Sequence, residues 1–200
     1  MIENLGIVYV PVVKKIKKCI VTRQGFSSMP EIVKFANPLN EVWIAGKGPS
    51  LDTFDWSKAG VYRFGINETA FIIPFCFGTF AIDYHILNKY KKSLNSNIIV
   101  FRKFTHIDYE FPRMFLWDRN MMKDAHATLC IAIQVLHHLG ARKFHFIGCD
   151  SMNQISGYAK SIININGQGD NKDSYRTINQ HIQDTLIRLK VEVIWEHQSL

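Results

Sequence analysis

The sequence lacks the patterns that mark membrane-spanning and secreted chains. Its longest apolar run, residues 70–82, is interrupted by Pro74 and Gly78 and is too short to cross a bilayer. The first apolar stretch, residues 6–13, follows the acidic Glu3 and has no small-residue cleavage site, which argues against a secretory signal. We therefore expect a cytoplasmic protein without a transmembrane segment, any membrane contact being peripheral.

Cysteine is scarce and unpatterned. The four cysteines are Cys19, Cys76, Cys130 and Cys149. They form no C-x-x-C pair and have no ligand-like spacing with histidine, and three of them lie inside apolar runs. We expect buried, reduced thiols rather than disulfides or a zinc site.

Acidic residues are too few to balance the basic ones. The 200 residues carry 24 Lys and Arg against 17 Asp and Glu, a net charge of +7, which favours an anionic partner. More than half of this excess lies in residues 1–40, which we interpret as a basic N-terminal segment or an extra strand pair. It would suit a polyanionic acceptor, either a lipid-linked glycan or a nucleic acid, or it is simply a solvated face. Residues 41–200 are expected to form the main domain.

That domain reads as alternating strands and helices. Short β-branched and aromatic runs predict strands at 41–45, 61–66, 97–101, 143–147 and 191–195. Helical spacing of apolar residues predicts helices at 125–139, ending on Gly140, and at 174–189. This alternation indicates a single α/β, Rossmann-like domain with a mostly parallel sheet and helices on both faces.

The residues that follow the first of these strands carry the strongest chemical signal. They are Gly46, Lys47, Gly48, Pro49 and Ser50. Two glycines let the backbone approach a ligand, Ser50 can cap the next turn, and Lys47 adds a charge suited to phosphate. Neither the P-loop nor the full dinucleotide fingerprint is present. A tight strand-to-helix turn with a surface lysine explains the same five residues, and both interpretations stay open.

Residues 42–51, VWIAGKGPSL, resemble the nucleotide-binding turn of bacterial sialyltransferase-type glycosyltransferases. Related motility-associated glycosyltransferases and 6-hydroxymethylpterin diphosphokinases have a similar turn. The resemblance continues at residues 63–67 and 125–158. It implies a nucleotide-sugar-dependent transferase in which residues 46–50 and Asn67 hold a nucleotide such as CMP. It also implies that His126 lies near the donor and that Tyr158 contacts the departing phosphate.

This chain lacks the catalytic histidine that the family has before the last helix, and Asp173 is the nearest titratable residue in that place. Asp150 ends a predicted strand, where a carboxylate lines the ligand crevice or merely caps its loop. We therefore take Asp150, His126, Tyr158 and Asp173 as candidates for the reaction centre.

Two alternatives remain open from the sequence. In the first, Asp83 and Asp150 hold Mg²⁺ for diphosphokinase-like phosphoryl transfer from ATP. In the second, the chain is a non-catalytic nucleotide-binding module. In every version the partner is a nucleotide or nucleotide sugar, and assembly into a homo-oligomer is compatible with the sequence.

Overall fold

The computed structural model describes residues 7–10, 39–81, 98–102, 114–117, 127–138, 140–153, 155, 157–166 and 175–196. Within these ranges, eight strands form one sheet. They are β1 (Ile7–Val10), β2 (Glu41–Ala45), β3 (Arg63–Ile66), β4 (Gly78–Ala81), β5 (Ile98–Arg102), β6 (Met114–Trp117), β7 (Lys143–Ile147) and β8 (Glu192–Trp195).

The strand order is β1-β6-β5-β4-β3-β2-β7-β8. Strand β1 runs antiparallel to β6, and all the other neighbouring pairs are parallel. From β2 the chain builds the sheet outward through β3 to β6, then returns to add β7 and β8 on the other side of β2. The direction of winding therefore reverses between β2 and β7.

Three α-helices lie within the described ranges: α1 (Thr128–His138), α2 (Lys160–Asn166) and α3 (Tyr175–Leu189). Helix α1 ends where Gly140 adopts φ +110°, a backbone conformation that glycine tolerates best. The Gly140 N–H donates to the carbonyl oxygen of His137 at 3.1 Å. The glycine stop predicted for this helix is confirmed.

The sheet is covered on both faces, and the alternation of side chains along β2 shows why. Val42 and Ile44 pack into a core built with residues of α1 and α3. Trp43 and Ala45 point the other way, into a second core with Leu51 and with Ile162 of α2. Because β2 is buried on both faces, it reads as an unbroken apolar run, as is typical of a parallel sheet. The α/β, mostly parallel architecture is confirmed.

The predicted strand bounds hold to within two residues wherever a strand was predicted, and those of β2 and β7 match. Strands β4 and β6 were not predicted from the sequence. Strand β1 falls in the N-terminal segment and joins the sheet through β6.

Candidate functional site

The carboxyl ends of β2 and β7 lie side by side at the point where the winding reverses. Ala45 is in register with Ile147 on the neighbouring strand. In open parallel sheets, ligands bind outside the carboxyl ends of the strands at such a switch point. The glycine turn 46–50 leaves from β2, and Gly148, Cys149 and Asp150 leave from β7.

The two glycines of the turn let the loops after β2 and β7 touch. The N–H of Gly46 donates to Ile147 O at 2.7 Å, and that of Gly48 donates to Gly148 O at 2.6 Å. A Cβ on Gly46 would lie 2.5 Å from Gly148 O, and one on Gly48 would overlap the Asp150 carboxylate. The glycines therefore serve the packing of one loop on the other.

Ser50 and Asp150 join these loops by side-chain hydrogen bonds. Oδ2 of Asp150 accepts from the Ser50 N–H at 3.1 Å and from its hydroxyl at 3.0 Å. Ser50 Oγ in turn accepts from the Gly148 N–H at 3.0 Å. Asp150 is 3% exposed, so its carboxylate is a buried acceptor that fixes the turn.

These bonds bear on the phosphate site expected at the turn. The N–H groups of Gly46, Gly48 and Ser50 all donate to protein acceptors, and that of Leu51 donates to Gly48 O at 3.1 Å. The carboxylate of Asp150 stands where an anion would meet the start of the 3₁₀ turn Pro49–Asp52. In this arrangement a phosphate depends on side chains rather than on these four amides.

Lys47 is the cationic side chain of the turn, and its charge is paired. Its Nζ lies 2.6 Å from Oε2 of Glu68, as an ion pair rather than an aligned hydrogen bond. The Glu68 side chain is 6% exposed and that of Lys47 is 21% exposed. On its other side, the ammonium lies 5.7 Å from the centre of the Tyr158 ring.

Glu68 belongs to the 3₁₀ turn Asn67–Phe71 that follows β3. Thr69 anchors this turn to β2, because its hydroxyl accepts from Ile66 N–H at 2.7 Å and donates to Ala45 O at 2.9 Å. A Cβ on Gly65 would overlap Ala70, so glycine lets the turn fold back over its strand. The turn after β3 is thereby held next to the turn after β2.

Asn67 and Glu68 each bury a side-chain oxygen that has no hydrogen-bond partner among the described residues, and that of Asn67 has no ion-pair partner either. Asn67 is 8% exposed, and the oxygen concerned is its Oδ1. Its backbone has φ +55°, which asparagine tolerates better than most residues. A buried acceptor without a donor costs free energy, and such groups in native structures often mark a position that a ligand or water fills.

Tyr158 reaches the site because α2 is tied to the glycine turn. The Ala159 N–H donates to Lys47 O at 2.8 Å. The carboxylate of Asp52 caps α2, accepting from Lys160 N–H at 2.6 Å and also from the Ser161 N–H and hydroxyl. Of the candidates predicted from the sequence, the structure brings together residues 46–50, Asn67, Asp150 and Tyr158.

The other candidates lie outside the described residues: His126, Asp173 and Asp83. The pairing of Asp83 with Asp150 to hold Mg²⁺ therefore stays a prediction. Within the described ranges, no three His, Cys, Asp or Glu side chains are placed to share a metal ion.

Cys149 sits between the site residues but is not a nucleophile. Burial, together with the neighbouring Asp150 charge, raises the pKa of its thiol to about 12. A thiol with this pKa stays protonated at neutral pH, and the thiolate is the reactive form.

His145 lies in β7, away from the turn, within a polar network. Its ring stacks on Trp43 with centroids 4.5 Å apart. Its Nε2 is 2.7 Å from a carboxylate oxygen of Glu41, and its Nδ1 is 2.7 Å from one of Glu196. Lys143 also bonds Glu41, and this hydrogen bond is the main reason that the pKa of the Glu41 carboxyl lies below its usual value.

Comparisons with models of protein families, with curated proteins and with solved structures find no match to this chain. The resemblance to sialyltransferase-type glycosyltransferases thus rests on the residues alone. None of the helices within the described ranges has the length and apolar character needed to span a bilayer.

Glu68 is a residue of this site that the sequence analysis did not predict, although it directly follows Asn67. The available signal was its place in the chain: an acidic residue at the end of the second strand of the domain, 20 residues after Gly48.

Proposed function

We propose that this protein is a transferase that uses an activated nucleotide, most favourably a nucleotide sugar, and acts like the bacterial sialyltransferase-type glycosyltransferases. The fold supports this proposal, since parallel α/β sheets bind nucleotides at the carboxyl ends of their strands. Function does not follow from fold alone, and the residues at the carboxyl ends of the strands give the more specific support.

The observation that carries the proposal is the buried Oδ1 of Asn67, which has no hydrogen-bond partner among the described residues. A buried acceptor of this kind calls for a donor, and a bound ligand is one source of it. Hydroxyl groups and amino groups of a nucleoside are such donors. The acceptor also lies at the edge where the switch point predicts a ligand.

Side chains around Asn67 suit the rest of a nucleotide. Lys47 and Tyr158 are the residues that would contact a phosphate, since the Lys47 ammonium is the cation of the turn and lies 5.7 Å from the centre of the Tyr158 ring. Asp150 would act as a positioning residue, because its contacts hold Ser50 and the turn in place. His126 and Asp173 remain the proposed proton-transfer groups that an inverting sugar transfer needs.

The acceptor is part of the same proposal. A lipid-linked glycan or a nucleic acid would be attracted to the basic residues of the segment 1–40. Such an acceptor fits a cytoplasmic enzyme that works at a membrane surface without spanning it.

A thermal-shift panel tests the proposal. CMP, UDP, GDP, ADP and ATP are each added with and without Mg²⁺, with inorganic phosphate as the ionic control. We expect a metal-independent rise in the melting temperature with CMP or UDP and none with phosphate. A strictly Mg²⁺-dependent shift with ATP alone would replace the proposal with phosphoryl transfer. No shift with any nucleotide would overturn it.

A further inference from the structure

Glu68 has a buried carboxylate that the fold has no evident need for. Its side chain is 6% exposed, and among the described residues its carboxylate has Lys47 as its only partner. Replacing a buried ion pair by apolar residues is often neutral or stabilising, so such a pair is weak evidence for a structural role. Its position at the carboxyl end of β3, beside the switch point, suggests a role in binding.

The position of Glu68 matches that of an acidic residue in dinucleotide-binding sheets. In those sheets a residue about 20 positions after the glycine fingerprint, of which this chain carries the first two glycines, accepts a hydrogen bond from the ribose 2′-hydroxyl. Glu68 lies 20 residues after Gly48 and directly follows β3. Strands β2 and β3 are adjacent and parallel, so both strand ends meet at one edge.

Asn67, the residue before Glu68, also presents a buried hydrogen-bond acceptor. Asn67 Oδ1 is buried and has no hydrogen-bond partner among the described residues, and the Glu68 carboxylate is also an acceptor. These two acceptors lie on consecutive residues. They require a ligand that brings hydrogen-bond donors, and a vicinal diol brings two.

The charges of Lys47 and Glu68 also favour a ligand with hydroxyl groups. The Lys47 ammonium balances the Glu68 carboxylate at 2.6 Å, so the pair is neutral as a unit. A neutral sugar can therefore enter beside the pair without adding net charge to a buried region.

We infer that Glu68 and Asn67 bind the ribose diol of the nucleotide, with Lys47 as the counter-ion of the Glu68 carboxylate. The inference rests on the proposed function, because it concerns the sugar of the same ligand. It makes Glu68 a specificity-determining residue that separates ribonucleotides from deoxyribonucleotides. No step of the transfer reaction passes through it.

The test compares ligands that differ by one hydroxyl. Isothermal titration calorimetry on the full chain measures CMP against dCMP, UDP against dUDP and ADP against dADP. Losing a hydrogen bond to a charged group should weaken binding about 10- to 100-fold. This comparison uses the wild-type protein, so it does not depend on whether a variant folds.

A variant pair sharpens the test. Glu68→Gln keeps the shape but removes the charge, and we expect it to lose most of the preference for the ribonucleotide. Glu41→Gln is the matched control, because Glu41 also pairs with a lysine at 2.7 Å but lies at the start of β2. It should keep the full preference.

The outcomes separate this inference from the proposed function. If no nucleotide of either kind binds, the proposed function fails and the inference fails with it. If ribonucleotides and deoxyribonucleotides bind equally, or if Glu68→Gln keeps the wild-type preference, the inference alone is overturned and nucleotide binding stands.

Discussion

Ser50 donates both its backbone N–H and its hydroxyl to one carboxylate oxygen of Asp150, a residue 100 positions away in the chain. The two residues thereby lock the loops that leave the two central strands. Neither partner is replaceable by water at this depth, since Asp150 is 3% exposed. The geometry of the candidate site depends on this link.

We expect the link to contribute strongly to stability. Asp150→Ala should lower the free energy of unfolding by about 3 kcal/mol, and Ser50→Ala by about 2 kcal/mol, because buried donors lose a charged acceptor. Urea denaturation measures both values. The double variant should be less destabilised than the two single losses together, since each removes the same interaction.

Ser57→Ala is the matched control for that experiment. The Ser57 hydroxyl also donates to an aspartate, Asp55, at 2.7 Å, but this pair is exposed. It should lose little or no stability. Strictly additive losses in the Ser50 and Asp150 double variant would show that the two side chains do not act together.

Lys47 should stabilise the protein even when no ligand is bound. Lys47→Ala leaves the Glu68 carboxylate buried and unpaired, and we expect a loss of about 3 kcal/mol, toward the low end for buried pairs because Lys47 is partly exposed. Lys47→Met combined with Glu68→Gln should restore most of this loss, because no charge is then left unpaired. Chemical denaturation of the three proteins measures the effect.

Lys58 provides the control, since it is an exposed lysine of the 3₁₀ turn Trp56–Lys58 in the same loop. Lys58→Ala should change stability little. A stable Lys47→Ala protein would mean that the Glu68 carboxylate finds another counter-charge.

Asn67 should show the opposite behaviour, with binding lost and stability kept. Asn67→Gly removes the buried acceptor, and glycine accepts the φ of +55° at this position without strain. We expect the melting temperature to change little while nucleotide affinity falls about tenfold or more. Thermal shift and calorimetry give the two readings on one sample.

Lys190→Gly is the control for the backbone, because Lys190 has φ +52° and is exposed. It should leave nucleotide affinity unchanged. A binding-competent Asn67→Gly protein would remove the main support for the proposed function.

The Glu41 and Lys143 pair predicts a dependence of stability on pH. The Lys143 hydrogen bond holds the pKa of the Glu41 carboxyl below its ordinary value of 4.5. A carboxyl whose pKa is lowered on folding stabilises the protein above the unfolded pKa, and this contribution is lost as the pH falls through the folded value. Urea midpoints of wild type and Glu41→Gln should therefore differ at pH 7 and converge toward pH 3. The effect should be small because both side chains are more than one third exposed, at 35% for Lys143 and 37% for Glu41, so that solvent screens the pair.

Most of the fold was readable from the sequence because apolar runs and glycine stops are local signals. Strands β2 and β7 and the end of α1 are the clearest cases. Strand β4 was missed because its residues fall inside the apolar run 70–82, where nothing alternates and Pro74 and Gly78 interrupt the pattern. A strand buried on both faces shows no alternation of polar and apolar residues, so the sequence alone does not indicate where it begins and ends.

The candidate site was only partly readable, for a different reason. Strand ends predicted that the glycine turn, Asn67 and Asp150 would share one edge. The pairing of Lys47 with Glu68 and of Ser50 with Asp150 depends on which strands are neighbours, and strand order is a tertiary property. The sequence therefore indicated a phosphate at amides that, in the folded chain, donate to protein groups.

The adjacency of β2 and β7 also sets the order of events during synthesis. Glu41 pairs with Lys143, so the centre of the sheet joins segments separated by about half of the chain. Such a contact is non-local, and non-local strand pairs form slowly. During synthesis, the edge of β2 that pairs with β7 stays unpaired until β7 has left the ribosome. An unpaired edge of this kind is open to aggregation or to binding by chaperones. The link between the glycine turn and Asp150 forms only after β7 has joined β2, because the two loops leave from these strands.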